Sequence, residues 1–282
     1  MKRALYLLAM GTVLSGAAAV SVSGQPSGAI KLWRLDCGSI QVNDMDAFSD
    51  VKAYVGRKTR ITDSCYLIKH GETYMLWETG LPAALKGAAM NSKDTFSPTV
   101  TKTVIEQLNE IGIKPDQVSI IGISHYHFDH LGQSDDFPKA KLLIGTRDWE
   151  AMRANPLPFG INPTLATNWT QKGGAVDPVT GDRDVFGDGT VTMLETPGHT
   201  PGHHSLLVRL TGMGPVLLSG DVAHFRENYD SNGVPGFNTD RADSLASIER
   251  LKGMAKNVNA TVVIQHDARD IAKLPAFPAS AD

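Results

Sequence analysis

The segment GISHYHFDHLGQ, residues 122 to 133, places three histidines and an aspartate within six positions. It overlaps the end of the apolar run VSIIGI, which predicts a buried strand. The turn after this strand carries four polar side chains that can converge: His125, His127, Asp129 and His130. Imidazole nitrogens and carboxylates are the ligands that divalent metals, zinc above all, prefer. The chain is therefore expected to fold so that a sheet edge presents a metal site.

The spacing within this segment indicates two ions. Two residues separate His125 from His127, which lets both rings face one ion, while Asp129 and His130 can turn toward a second one. A cluster of histidines that only packs is the alternative interpretation. It is disfavoured because four desolvated titratable groups would otherwise repel one another or stay unpaired.

At three other places in the sequence, a residue that can bind a metal follows a predicted strand. LETPGHTPGHHS offers His199, VLLSGDVAH offers Asp221 and TVVIQHD offers His266. Each follows an apolar run, so these three side chains are candidates to complete the site.

The remaining histidines are assigned lesser roles. His203 and His204 begin the next predicted strand, where they are expected mainly to pack; the alternative is that one of them hydrogen-bonds to a ligand. His70 lies in a predicted hairpin turn, His70-Gly71-Glu72, and is expected to be exposed and inert.

The order of elements predicts an α/β (α+β) fold. Strands are predicted at residues 30–37, 64–69, 118–123, 140–145, 190–196, 203–210, 214–221 and 260–267. Helices are predicted at 97–111 with Ser97 as the N-cap, at 146–153 and at 239–257, with a Pro- and Gly-rich loop up to about residue 182. This doubled β-β-α-β order favours two sheets packed face to face with helices on both outer sides.

The first 24 residues have the pattern of a secretory signal peptide, with Lys2 and Arg3 before an apolar stretch and small residues. An N-terminal membrane anchor is the alternative. Residues 25–282 are expected to form one domain that is periplasmic or secreted and not stably inserted in a membrane. Loss of the two basic residues changes the net charge from −3 to −5, which makes nucleic acid a poor candidate partner.

The two cysteines, Cys37 and Cys65, lie in strand-like segments. In an exported protein they could form one disulfide, and two buried thiols are an equally good interpretation. Neither has an adjacent basic residue, so neither is predicted to be catalytic.

The histidine and aspartate set resembles that of the metallo-β-lactamase-fold hydrolases, over residues 30 to 270. The resemblance implies a four-layer αββα sandwich that binds two divalent ions, zinc by preference. It also implies the ligands: one ion is held by His125, His127 and His199, the other by Asp129, His130 and His266, and Asp221 bridges them.

Within that family, the segment DVAHFRENYDSNGVPGFNTDRADSLASIERL and the ending IQHD resemble the N-acyl-homoserine lactonases. True β-lactamases of this fold lack the bridging aspartate, so Asp221 argues against antibiotic hydrolysis. Two positions depart from the lactonase pattern. His224 stands where a tyrosine usually follows the bridging aspartate, and Glu78 replaces the aspartate of a DTG motif.

The resemblance implies hydrolysis of a small lactone and quorum quenching. A hydroxide between the two ions is expected to attack the carbonyl, with Asp129 passing a proton to the leaving alkoxide. His224 is expected to donate a hydrogen bond or a proton, unless it is a simple loop residue. Phe159, Phe225 and Phe237 could wall an acyl cleft, although aromatic loop residues more often pack locally, and they are not counted as site residues.

Two alternatives stay open. One is another hydrolase on this scaffold, such as an organophosphate phosphotriesterase or a thioesterase of the glyoxalase II type, because an activated water does not dictate which electrophile it attacks. The other is a non-catalytic module that binds metal and ligand. A homodimer is compatible with the sequence.

Overall fold

The computed structural model of the chain describes Met1 and residues 30–282. The predicted signal peptide, residues 1–24, lies outside the described residues apart from Met1. Its cleavage and the extent of the mature domain therefore stay predictions.

Two mixed sheets form the centre of the structure. The described part of the chain contains twelve strands: β1 Ile30–Val42, β2 Thr59–His70, β3 Thr73–Trp77, β4 Phe96–Thr99, β5 Val118–Gly122, β6 Lys141–Gly145, β7 Val176–Val179, β8 Arg183–Asp184, β9 Val191–Glu195, β10 His204–Leu210, β11 Gly214–Leu218 and β12 Thr261–Val263. The first sheet has the order β4-β1-β2-β3-β5-β6-β7, and the second has the order β12-β11-β10-β9-β8.

Seven α-helices accompany the strands in the same residues: α1 Val104–Glu110, α2 Phe128–Leu131, α3 Thr146–Ala151, α4 Thr167–Thr170, α5 Arg226–Ser231, α6 Arg241–Asn257 and α7 Ala268–Ile271. The predicted loop before residue 182 contains α4 and the edge strand β7, which the sequence pattern did not reveal.

Alternation along the strands places apolar side chains on both faces of each sheet. In β10, Leu206 and Val208 pack between the two sheets, whereas Leu207 points the other way, against Ile248 and Leu251 of α6. On the far side of the first sheet, α1 packs on strand residues in the same manner. The result is the predicted four-layer αββα sandwich.

The helix that was predicted to begin at Ser97 begins later. Ser97 lies in β4, which pairs antiparallel with β1, and its buried hydroxyl accepts the N–H of Asn91. Helix α1 starts after Thr103, whose side chain and that of Glu106 form a capping box. The helix ends before Gly112, which has a φ of +73°. The predicted N-cap was therefore wrong and the predicted C-terminus was close.

Cys37 of β1 and Cys65 of β2 form a disulfide across these two neighbouring strands. Both residues are fully buried. Of the two interpretations of the cysteine pair, the structure shows the disulfide.

Within residues 30–282, no helix combines the length and the apolar character that crossing a bilayer would require.

Candidate metal centre and active site

Four strand ends bring polar side chains to one edge of the sandwich. The turn and short helix α2 after β5 carry four of them, and one each follows β9, β11 and β12. Their potential ligand atoms form groups whose members lie within 4.8 Å of one another. The structure thus brings together all seven residues that the sequence predicted as metal ligands: His125, His127, Asp129, His130, His199, Asp221 and His266.

Three histidine nitrogens converge on one point. Nε2 of His125 lies 2.9 Å from Nδ1 of His127, and Nε2 of His199 lies 3.1 Å and 3.0 Å from these two atoms. Burial lowers the pKa of all three imidazoles, that of His199 to about 3, so the rings are neutral at physiological pH. Three neutral rings that point nitrogens at each other leave lone pairs unmatched.

This donor set fits a divalent metal. Tetrahedral zinc with nitrogen ligands at 2.0–2.1 Å separates those nitrogens by about 3.3 Å, close to the spacing between the three rings. Nearby, Nε2 of His130 is buried without a hydrogen-bond partner, and the nearest oxygen of Asp221 is 3.5 Å away. Both observations are expected where a cation belongs.

Asp221 lies between the two ligand groups. Its Oδ2 is 3.4 Å from His199, and its Oδ1 is 3.1 Å from Nε2 of His266. Burial alone would raise the pKa of Asp221, but the surrounding histidines hold it well below its usual range. Burial likewise opposes the charge on His266, yet Asp221 raises the pKa of that ring to about 9. Asp221 and the His266 ring therefore stabilise each other's charged forms.

Asp129 completes the second group. Its two carboxylate oxygens lie 4.0 Å from Nε2 of His130 and 3.9 Å from Nε2 of His266. Asp129 and His130 lie in α2, which begins right after His127. The ring of His130 lies beside that of His125, with centroids 4.0 Å apart, so the two ligand groups adjoin.

A neighbouring group contacts the second ring nitrogen of four of the candidate ligands. Nδ1 of His125 contacts the Ser124 hydroxyl at 2.9 Å, and Nδ1 of His199 donates to Asn238 Oδ1 at 2.8 Å. Nδ1 of His130 lies 3.2 Å from Glu78, and Nδ1 of His266 donates to the Thr62 carbonyl at 2.7 Å: these partners fix which nitrogen faces the centre.

His203 acts on Asp221 through the backbone. Its Nε2 accepts the N–H of Asp221 at 2.9 Å, while its Nδ1 donates to the Thr196 carbonyl at 3.1 Å. Gly220, with a φ of +53°, makes the approach feasible, since a Cβ there would lie 2.6 Å from Nε2 of His203. The alternative of a supporting hydrogen bond therefore holds for His203. His204 instead begins β10 and donates to the Gly202 carbonyl.

His224 points into the site. It is only 2% exposed, and its Nε2 lies 3.2 Å from Oδ2 of Asp221. Its ring stacks on that of His266 and contacts Phe48 edge-on. His224 thus lies between two helices yet is buried beside the candidate ligands, and its part in catalysis stays a prediction.

An apolar cavity opens onto the ligands. Its walls include His127, Asp129, His199, Asp221, His224 and His266 together with Ile40, Phe48, Ile61, Phe96, Phe128, Phe159 and Phe237. Two of the three aromatic residues suggested from sequence, Phe159 and Phe237, line it. Phe225 does not, because it packs behind Phe48 and Tyr54.

Other residues differ from their sequence interpretation or escaped it. His70 is not exposed: only 18% of its side chain is accessible, and Nε2 lies 2.7 Å from Asp188. Asn238 was overlooked as a partner of His199, although it sits in the VPGFNTDR stretch that carries the family resemblance. Ser124 directly precedes the first histidine and could have been suspected on that ground.

Comparison with known families agrees with this geometry. Residues 61–266 match the sequence model of the metallo-beta-lactamase superfamily. The chain belongs to that superfamily. The matched range begins in β2 and ends on His266, so it spans every candidate ligand.

Relatives within the superfamily include characterised lactonases. The chain is 34% identical over 184 residues to N-acyl homoserine lactonase AttM of Agrobacterium fabrum, covering 62% of this chain and 68% of that protein. It is 30% identical over 227 residues to N-acyl homoserine lactonase AiiA of Bacillus thuringiensis subsp. kurstaki, covering 76% and 84%.

Solved structures give the same picture. A structure of an N-acyl homoserine lactone hydrolase with N-hexanoyl-L-homoserine bound at its catalytic metal center superimposes with a TM-score of 0.75 and 25% identity, over 90% of this chain and 99% of that one. The chain therefore shares its fold with this hydrolase.

Proposed function

We propose that this protein is a dinuclear metal-dependent hydrolase that opens the lactone ring of N-acyl-homoserine lactones. The observation that carries the proposal is the meeting of seven candidate ligands beside an apolar cavity, which five of them line. The similarity to named lactonases supports the choice of substrate class.

Two divalent ions, with zinc the preferred candidate, fit the donor set. His125, His127 and His199 would hold one, Asp129, His130 and His266 the other, and Asp221 would contact both. When bound, such ions lower the pKa of water and polarise a carbonyl oxygen. The protein contributes the neutral state of the three imidazoles, which leaves their lone pairs free for ligation.

The cavity suits a substrate with a polar ring and an apolar tail. Its aliphatic and aromatic walls, such as Ile40, Phe48 and Phe237, would bury an acyl chain, while the polar groups stand only at its inner end. The lactone carbonyl would then face the ligands. Hydrolysis adds one water, breaks the ring C–O bond and yields a carboxylate and a free hydroxyl group.

Two side chains are placed to move protons. The Asp129 carboxylate lines the cavity, so it would take a proton from the attacking water and give it to the leaving alkoxide oxygen. His224 lines the same wall and would donate a hydrogen bond from Nε2 to an oxygen of the lactone.

A substrate panel tests the proposal. Purified protein loaded with zinc is incubated with hexanoyl-homoserine lactone, a thioester and an aryl phosphotriester, and acid release is measured beside metal content. We expect ring opening of the lactone to dominate, loss of that activity in H266A, and retention in H70A, which removes a histidine outside the site. No lactone opening would overturn the proposal, and turnover of the phosphotriester or thioester alone would favour the rival hydrolases. Binding of lactone without release of acid would favour a non-catalytic module.

We further propose that the protein is exported and acts in quorum quenching outside the cytoplasm. The Cys37–Cys65 disulfide supports this, since disulfides persist in oxidising compartments. The N-terminal sequence of the protein recovered from periplasm and medium tests it: a mature chain that begins near residue 25 is expected, and recovery of the intact chain from the cytoplasm alone would contradict export.

A further inference from the structure

Asp148 is a buried carboxylate that the proposed chemistry leaves unused. It is the third residue of α3 and is 0% exposed. No Lys, Arg or His among residues 30–282 lies within ion-pair distance of it. Burying a carboxylate without a neighbouring cation costs free energy of folding. Packing alone therefore does not explain an aspartate at position 148.

The partners of Asp148 lie on two different ligand loops. Oδ2 accepts the Thr200 hydroxyl at 2.7 Å, and Oδ1 accepts the Gly202 N–H at 2.6 Å. The backbone N–H of Tyr126 faces this carboxylate closely enough to lower its pKa. Tyr126 stands between two of the candidate ligands of the first ion, and Thr200 directly follows the third.

The backbones approach so closely here that only glycine fits. A Cβ on Gly202 would lie 2.5 Å from the Asp148 amide nitrogen, and a Cβ on Gly145 would overlap the Gly202 carbonyl. Gly145 has a φ of −55°, which any residue can adopt, so space and not conformation demands glycine at this position. The start of α3 is thereby pressed against the loop after β9.

We propose that Asp148 is a positioning residue that ties the loop of His199 to the loop of His125 and His127, and so preorganises these three imidazoles for one metal ion. The inference rests on the metal centre of the proposed function. The two loops are otherwise joined here by the backbone hydrogen bond from the His204 N–H to the Ser124 carbonyl at 2.9 Å and by the close approach of the ligand rings. Asp148 adds two hydrogen bonds on the His199 loop and the approach of its carboxylate to the Tyr126 N–H.

The substitution Asp148→Asn tests the tie. The substitution keeps the shape of the side chain but replaces one carboxylate oxygen with an NH₂ group. This group then faces a hydrogen-bond donor, either the Thr200 hydroxyl or the Gly202 N–H. We expect the affinity for one of the two ions to fall about ten- to a hundredfold, as found for partners that orient metal ligands, while the other ion stays bound. The readouts are zinc affinity by competition with a chelator, and the absorption spectrum of the cobalt-loaded protein, which reports ligand geometry.

Asp135→Asn is the matched control. Asp135 also accepts one hydroxyl and two N–H groups, from Thr167 and Asn168, but these hold α4, which carries no candidate ligand. We expect a comparable loss of thermal stability with unchanged affinity for both ions. A second variant, Thr200→Val, removes a single donor and is expected to weaken the same ion by a few-fold, which keeps the test open if D148N fails to fold.

The outcomes separate the two proposals. If D148N and D135N lose equal stability and both bind two ions as tightly as the wild type, Asp148 is only structural and the inference fails. If the wild type binds two ions but opens no lactone, the proposed function is wrong. The role of Asp148 is then still tested by the metal affinity of D148N. A wild type that binds no divalent ion would overturn both.

Discussion

Nε2 of His203 accepts the backbone N–H of Asp221 at 2.9 Å, so a histidine that ligates nothing sets the position of the central carboxylate. The Nδ1 hydrogen bonds to the Thr196 carbonyl and the nearby Thr196 hydroxyl keep the proton on Nδ1. His203 is fully buried, and burial holds its pKa well below the usual range, which keeps Nε2 free to accept.

Replacement of His203 by Ala should impair both the fold and the metal centre. It leaves the Asp221 N–H unpaired and opens a cavity, at a cost of about 2–4 kcal/mol in the free energy of unfolding. Lactone hydrolysis should fall about ten- to a hundredfold through misplacement of Asp221. Unfolding in urea and kcat/KM provide the measurements. Ser205→Ala is the control, because Ser205 is bonded to Thr196 in the same network but does not touch Asp221; equal loss of activity in S205A would contradict this role.

Most of the candidate ligands could be predicted from the sequence, because each follows an apolar strand and these strand ends meet at one edge of the fold. His199, Asp221 and His266 were found in this way although they are distant in sequence. The partners of these ligands were harder to find. Asn238 lies in a loop and contacts the His199 ring, and Asp148 lies in a helix and contacts residues that follow His199. The local pattern around neither residue indicates its distant partner.

The errors in the fold have a similar origin. Ser97 has the local features of an N-cap, but its segment gains more by pairing with β1, a contact that no local rule anticipates. The true start was visible as the Thr103 and Glu106 capping box. His70 was expected to be exposed because it borders a turn, yet Asp188 and Phe186, more than 100 residues away, cover it.

The buried state of Asp148 predicts a pH dependence of stability. Burial raises the pKa of Asp148 to about 7 in the folded protein, from 3.8 for an ordinary aspartate. Between these values the folded chain holds a proton that the unfolded chain has released. Raising the pH through this window therefore lowers the free energy of unfolding, by up to about 4 kcal/mol from this group.

This contribution is absent in D148N. The stability of metal-free wild type relative to metal-free D148N should therefore fall as the pH rises from about 4 to about 7, and stay level above that. Urea unfolding at a series of pH values measures the difference. Parallel pH profiles for the two proteins would show that Asp148 titrates normally.

Phe159 should set the preference for long acyl chains. Its side chain lines the cavity on the His127 side yet is 77% exposed, so it has apolar surface left for a ligand to cover. In F159A, KM for a decanoyl lactone should rise about five- to thirtyfold, equivalent to about 1–2 kcal/mol of lost apolar burial. A butanoyl lactone, whose chain is too short to reach the mouth, should be unaffected.

Leu157→Ala serves as the control for this loop. Leu157 is also exposed but is not part of the cavity wall. Initial rates with butanoyl, hexanoyl and decanoyl lactones on the three proteins provide the comparison. The assignment is wrong if F159A leaves the ratio of kcat/KM between long and short substrates unchanged.

His224 is the position where the chain departs most from the lactonase pattern, and its variants test whether an N–H replaces the usual O–H. Its Nε2 lies beside Asp221, and the residue lines the apolar cavity in which we expect the lactone to bind. H224F keeps the aromatic packing on Phe48 and removes the donor, so kcat should fall about a hundredfold with little change in KM. H224Y supplies a hydroxyl at the same place and should restore at least a tenth of the wild-type rate. The test is steady-state kinetics, with the metal content measured on each preparation. An H224F enzyme with two bound ions and the wild-type kcat would show that this histidine only packs.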